Sequence, residues 1–156
     1  MTPSEDSDAL DSINRTLARV MRLSGSRSMF ARQAAAAGVQ LSQPSYVLLR
    51  ILIDEGPSAL SGLARAAHMD MGMAARRVAA LVESGLATRQ SDPRDGRVTQ
   101  VVPTPQGERV ARALQEVRRG HLERALAGWS AAELRDFDRL LGRFLADTTA
   151  TSIEDG

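Results

Sequence analysis

The stretch Met69–Val102, MDMGMAARRVAALVESGLATRQSDPRDGRVTQVV, constrains what the rest of the chain can fold into. Asp70 is placed to cap a helix, because its carboxylate can accept from the free N–H groups of a first turn. Val78, Leu81 and Val82 then recur at helical spacing and give that helix one apolar face. Ser84-Gly85 ends it, since glycine tolerates the left-handed conformation of a helix C-terminus. Two extended runs follow, Leu86–Gln90 and Val98–Val102, separated by Asp92-Pro93-Arg94-Asp95-Gly96-Arg97. Asp-Gly between extended runs is a hairpin signal. A helix leading directly into a basic-tipped hairpin is the arrangement expected of a winged helix-turn-helix.

The flanking sequence supplies the other helices. Residues 1–8 form a polar, acidic tail expected to be disordered. From Ala9 a long helix is expected to about Ala37, with Ser24-Gly25-Ser26 as its weak point. Ser42, Gln43 and Pro44 start a second helix, apolar almost all round and therefore central. A short third helix covers roughly Leu60–Ala67 and leads into the one capped by Asp70. After the hairpin, Thr104-Pro105 starts a helix reaching about Ala127, and Ser130-Ala131-Ala132-Glu133 is a capping-box pattern that starts the last. The expected fold is mainly α with a small β-hairpin wing. Residues 9–40 and 104–148 are read as dimerisation helices, 41–103 as the DNA-binding lobe and 149–156 as a polar tail. The terminal helices stand outside the lobe in this reading. Their apolar stripes need cover, and a two-fold homodimer is the simplest source of it.

Composition excludes several classes. The chain has no cysteine, so disulfides, thiolate zinc sites and cysteine redox switches are out. No apolar run reaches membrane-span length and the N-terminus has no apolar signal core, so a cytoplasmic location is expected. The formal net charge is only +1, but every basic residue is Arg. His68 and His121 have no metal-ligand spacing, so neither a metal nor a cofactor is expected. Without a histidine–acid pattern or a phosphate-binding glycine loop, an enzyme is not expected either.

In its motifs the chain resembles the MarR family of bacterial transcriptional regulators over roughly Ala9–Ala146. The resemblance rests on Leu63-Ala64, on Asp70-x-Gly72-x-x-x-Arg76, on Leu81 and Gly85-Leu86, on the wing hexapeptide, and on Thr104-Pro105-Gln106-Gly107. It implies a homodimer on a pseudo-palindromic operator, usually a repressor, released when a small, often phenolic, ligand binds between the dimerisation helices and the DNA lobe. It also implies that Asp70 anchors Arg97, tying the wing to the recognition helix. A pocket lined by Arg22, Met29, Tyr46, Leu49 and Val117 is implied likewise, where an Arg would suit a carboxylate or phenolate. The chain departs from the family pattern at His68, where a turn glycine is usual, at Met73, Ala74 and Ala75, where Ser or Thr is common, and at Gly96, where the wing tip often carries Arg.

For DNA contact the candidates are Arg76 and Arg77, two turns into the recognition helix, each able to reach guanine O6/N7 or a phosphate. Arg94 near the wing tip suits a narrow minor groove. Met71, Met73 and Ala75 can touch thymine methyls, and Arg65 and Arg89 can hold phosphates. The alternative is a winged-helix module that docks a protein. Salt separates the two, because phosphate contacts weaken steeply as salt rises.

Overall fold

The computed structural model describes residues 3–151. Among the described residues, seven helices and a three-stranded sheet run in the order α1 (Pro3–Ser24), α2 (Arg27–Ala36), α3 (Gln43–Glu55), β1 (Ser58–Ala59), α4 (Leu60–Ala66), α5 (Met71–Glu83), β2 (Ala87–Ser91), β3 (Thr99–Pro103), α6 (Pro105–Ala125) and α7 (Ala131–Ala150). The sheet is antiparallel with β3 in the centre, Ser58 opposite Val101 and Arg89 opposite Val101 on the other side. The chain divides into two compact units at Arg118.

The unit ending at Arg118 is built around α3. Leu48, Leu49 and Leu52 are buried there and meet Leu63 of α4, Val78 and Leu81 of α5, and Val101 of β3. A fully buried leucine contributes about 1.5–3 kcal/mol, so this cluster dominates the unit's stability. Its helices start where the side-chain caps fall. The hydroxyl of Ser42 accepts from the Ser45 N–H at 3.2 Å, and the Asp70 carboxylate accepts from the Met73 N–H at 2.8 Å.

Four expectations are corrected. The helix expected from Ala9 to about Ala37 is two helices, parted at the Ser24-Gly25-Ser26 weak point, with Ser26 capping the second through the Met29 N–H. Nor do the flanking helices all stand outside the lobe. Phe30 and Ala34 of α2, and Gly107, Ala111 and Leu114 of α6, are buried in the same core. The tail expected at residues 1–8 is helical from Pro3, where Asp6 and Asp8 in the first two turns complement the helix dipole. Residues 1 and 2 of it lie outside the described residues. At the other end α7 continues to Ala150, past the expected start of the tail, and residues 152–156 are likewise outside.

The turn between α4 and α5 is closed by His68 at φ 50°, the one non-glycine with positive φ among the described residues. Its N–H donates to the Arg65 carbonyl at 3.1 Å and the Met69 N–H to the Ala64 carbonyl at 2.9 Å, the bonding of a left-handed helix stop. Histidine accepts this conformation with some strain, and a β-branched residue does not. His68→Gly is expected to raise unfolding stability by about 0.5–1 kcal/mol, and His68→Val to lower it by at least about 1 kcal/mol. Urea midpoints compare the three proteins directly. Glycine and valine shifting stability in the same direction would refute the strain.

In the other unit, α7 begins with the expected capping box: the Glu133 carboxylate accepts from the Ser130 N–H at 2.7 Å and the Glu133 N–H donates back at 3.2 Å to the Ser130 hydroxyl. The Ser130 N–H holds the Glu133 carboxyl below the usual range. Trp129 packs edge-on against Phe137 with ring centroids 5.4 Å apart. No residue of α7 is buried.

Candidate nucleic-acid interface

Helix geometry sorts the α5 side chains. Ala74, Val78 and Leu81 are buried and fix the inward stripe. At about 100° per residue, Arg76 lies roughly 165° from the centre of that stripe and Arg77 roughly 65°. The exposures agree: Arg76 is exposed, whereas Arg77 is half-buried with its Nε buried and without a hydrogen-bond partner. Arg77 lines a cleft with Phe30 and Pro44 instead of sharing the outer face with Arg76. Met71 is 50% exposed at the start of α5, while Met73 and Ala75 are half-buried on its flanks.

Gly72 sits on the outer face beside Arg76. A Cβ added there would stand 3.2 Å from Oδ1 of Asp70 and 3.5 Å from Nη1 of Arg76. The missing side chain therefore leaves room for both the cap and the arginine. Arg65 in the last turn of α4 and Arg89 on β2 are exposed, so each can meet a phosphate.

The wing is shaped by its two aspartates. Oδ1 of Asp92 accepts from the Arg94 N–H at 2.6 Å, and Oδ2 accepts from the Gln100 amide at 2.7 Å. Asp95 accepts from the Arg97 backbone N–H at 3.1 Å and from its guanidinium at 3.0 Å and 3.3 Å. These bonds hold the hairpin closed and leave Arg94 exposed near its tip. The implied Asp70–Arg97 pair is corrected here: Arg97 is engaged by Asp95, two residues away in the same turn, while the Asp70 carboxylate caps α5. The Arg97 guanidinium beside Asp95 holds that carboxyl below the usual range. The stabilisation is present at neutral pH and fades as pH falls through the depressed pKa. Because the pair is open to water, Arg97 remains free to exchange Asp95 for a phosphate.

Of the five residues implied as a ligand pocket, two are buried, one is exposed and two are half-buried. Tyr46 and Leu49 are buried in the core, where the Tyr46 ring lies 5.8 Å from Phe30 and carries the Arg118 guanidinium at 4.8 Å. Arg22 is exposed on α1, and Met29 and Val117 are half-buried on α2 and α6. The sequence reading passed over Arg118. Its Nε donates to Gln33 at 3.0 Å while its charge stacks on Tyr46, which ties α6 to α2 and α3. Among the described residues no cluster of His, Cys, Asp or Glu could hold a metal ion, and no helix is long and apolar enough to cross a membrane.

A capped helix with an exposed arginine on its outer face, reached through a tight turn and followed by a basic β-wing, defines a winged helix-turn-helix DNA-binding protein. The family model described as "MarR family" matches residues 41–99, from α3 to the start of β3. The HTH-type transcriptional regulator YxaD of Bacillus subtilis, described as uncharacterized, is 35% identical over 117 residues, 75% of this chain and 82% of that protein. The HTH-type transcriptional repressor IacR of Pseudomonas putida is 31% identical over 103 residues, 66% of this chain and 62% of that protein. The structure of a MarR family protein from Bacillus stearothermophilus superposes with a TM-score of 0.78, covering 96% of this chain and 99% of that one at 19% identity, which shows the shared fold. The chain belongs to the MarR family of transcriptional regulators.

Proposed function

We propose that the protein is a homodimeric repressor that reads a pseudo-palindromic operator through Arg76 in the major groove and Arg94 in the minor groove, with Arg65, Arg89 and Arg97 on phosphates. The observation that carries this reading is the exposed Arg76 on the face of α5 opposite the buried Ala74–Val78–Leu81 stripe. Met71 adds apolar contact near the first turn, flanked by Met73 and Ala75. Repression is supported by the name of the similar IacR protein. Release from the operator by a small-molecule ligand belongs to the same reading. Two recognition helices in successive major grooves set half-site centres about 10–10.5 base pairs apart.

The test is a titration of DNA from upstream of the protein's own gene over a salt series, with wild type beside Arg76→Ala and Arg94→Ala. A bidentate arginine contributes about 1–3 kcal/mol of discrimination per contact, and a two-fold dimer loses it twice. Arg76→Ala is therefore expected to weaken specific binding by at least about tenfold and to relax sequence preference, and Arg94→Ala to weaken it less. Wild-type affinity is expected to fall steeply with salt. Affinity indifferent to salt and to Arg76 would sink the reading and favour a protein partner.

A further inference from the structure

The outer face of α5 is poor in hydrogen-bonding groups and rich in apolar surface. From Met71 to Val82 the only side chains carrying nitrogen or oxygen are those of Arg76 and Arg77. Arg77 is half-buried in its cleft with Phe30 and Pro44, which leaves Arg76 alone on the outer face. The helical neighbours of Arg76, three and four residues away, are Gly72, Met73, Ala79 and Ala80. Met71 continues the register of the buried Ala74, Val78 and Leu81, yet 50% of its surface is open because it opens the helix beyond the end of the core. The N-terminal residues of a recognition helix are the ones that reach base edges. Here that end carries two methionines and a glycine, and the one acid beside them, Asp70, caps the helix through the Met73 N–H at 2.8 Å.

Base edges in the major groove are told apart by distinct partners. Arginine suits guanine, an amide side chain suits adenine, and a carboxylate suits the cytosine amino group. Of these, α5 presents only an arginine. The one apolar group that those edges offer is the C5-methyl of thymine. A thioether side chain adapts its shape to such a group and gains dispersion contact with it.

We infer that α5 reads its half-site as one guanine, bound by Arg76, beside pyrimidine C5-methyl groups met by Met71 and Met73. This specificity rests on the regulator reading and names the bases that the recognition helix selects. Methylated cytosine carries the same apolar group at the same ring position, so affinity follows the methyl group and not the base that bears it.

The test starts from a randomised pool of duplex DNA, from which the full chain selects its preferred sequence. Each symmetric pair of thymines in that sequence is then replaced by deoxyuridine, which removes the methyl group alone. A buried methyl is worth about fourfold in affinity, so a pair read in both half-sites is expected to cost about fifteenfold. At that pair, 5-methylcytosine is expected to bind at least about fourfold more tightly than cytosine. Met71→Ala or Met73→Ala is expected to shrink the deoxyuridine effect to below about threefold, as a contact removed from one side leaves nothing to lose from the other. Arg94→Ala, which acts in the minor groove, is expected to leave the effect as in wild type. The deoxyuridine and methylcytosine comparisons use the wild-type chain, so they stand even if a methionine variant folds poorly. Deoxyuridine tolerated within about twofold at every thymine overturns the inference, as does a loss undiminished in both methionine variants. In either case sequence-selective binding survives and the regulator reading stands. A pool from which no sequence emerges overturns both.

Discussion

Gly107→Ala is expected to lower unfolding stability by about 3 kcal/mol or more, which for a chain of this size is roughly a 10 °C fall in Tm. The cause is a single close approach. A Cβ at position 107 would stand 2.1 Å from the carbonyl oxygen of Leu86 and 3.2 Å from Cδ1 of Leu49. Neither neighbour can move cheaply. Leu49 is fully buried, and the Leu86 carbonyl accepts from the Thr104 N–H at 3.1 Å. The Thr104 hydroxyl in turn donates to the Gly85 carbonyl at 2.6 Å and accepts from the Gly107 N–H at 3.1 Å. One residue thus caps α6 and fastens it to the left-handed end of α5, where Gly85 has φ 73°. A methyl group at 107 would pry this junction apart and loosen Ala111 and Leu114 from the core behind it. Gly142→Ala is the matched control, because nothing lies within 4 Å of a Cβ there and α7 gains helix propensity of up to about 1 kcal/mol. Urea midpoints for the two variants should move in opposite directions. A Gly107→Ala protein as stable as wild type would mean that α6 does not pack on Leu86 as described.

What the sequence disclosed, and what it did not, follows from how local each feature is. Asp70, Ser42, Thr104 and the Ser130–Glu133 pair mark helix starts because each bond spans only three residues, and all four behave as their positions predicted. The Asp92 and Asp95 turn is equally local. The two-residue β1 carries no period of its own and exists only because β3 pairs with it. Arg76 and Arg77 look equivalent in a string of letters. Their difference was nonetheless accessible, because the buried stripe extends back to Ala74 and puts Arg77 on its flank. The partner of Arg97 was missed because a pairing implied across the lobe competed with one two residues away, and the nearer acid holds it. Tyr46 and Leu49, implied as pocket lining, are also core residues. The fold was therefore largely legible from caps and periodicity. The site was legible in residue type, but the direction of its side chains depended on packing.

Leu141→Asp is expected to convert the protein to monomers and to weaken operator binding by at least about a hundredfold, since two linked half-sites gain about 10²–10⁴ over one. The helix α7 has twenty residues and none is buried. Leu134, Phe137, Leu141, Phe144 and Leu145 recur on one face and are 38–64% exposed. On α1, Leu10, Ile13, Val20 and Met21 are left in the same state, 49–72% exposed. Apolar stripes of this extent on terminal helices mark an interface, and the cover proposed here is a second copy of the chain. An aspartate in the seam would have to be desolvated without a partner, whereas in a free monomer the same position faces water at no such cost. The substitution therefore penalises the dimer alone. Arg139→Glu, on the polar side of α7 where Arg139 pairs with Asp136 across 3.4 Å, changes charge by more than Leu141→Asp does and should leave association intact. Sedimentation of both variants separates the outcomes. If Leu141→Asp still sediments as a dimer, the α7 stripe is not the seam. If it is monomeric yet binds the full operator as tightly as wild type, bivalency is not the source of affinity, and the two-helix, two-groove geometry fails with it.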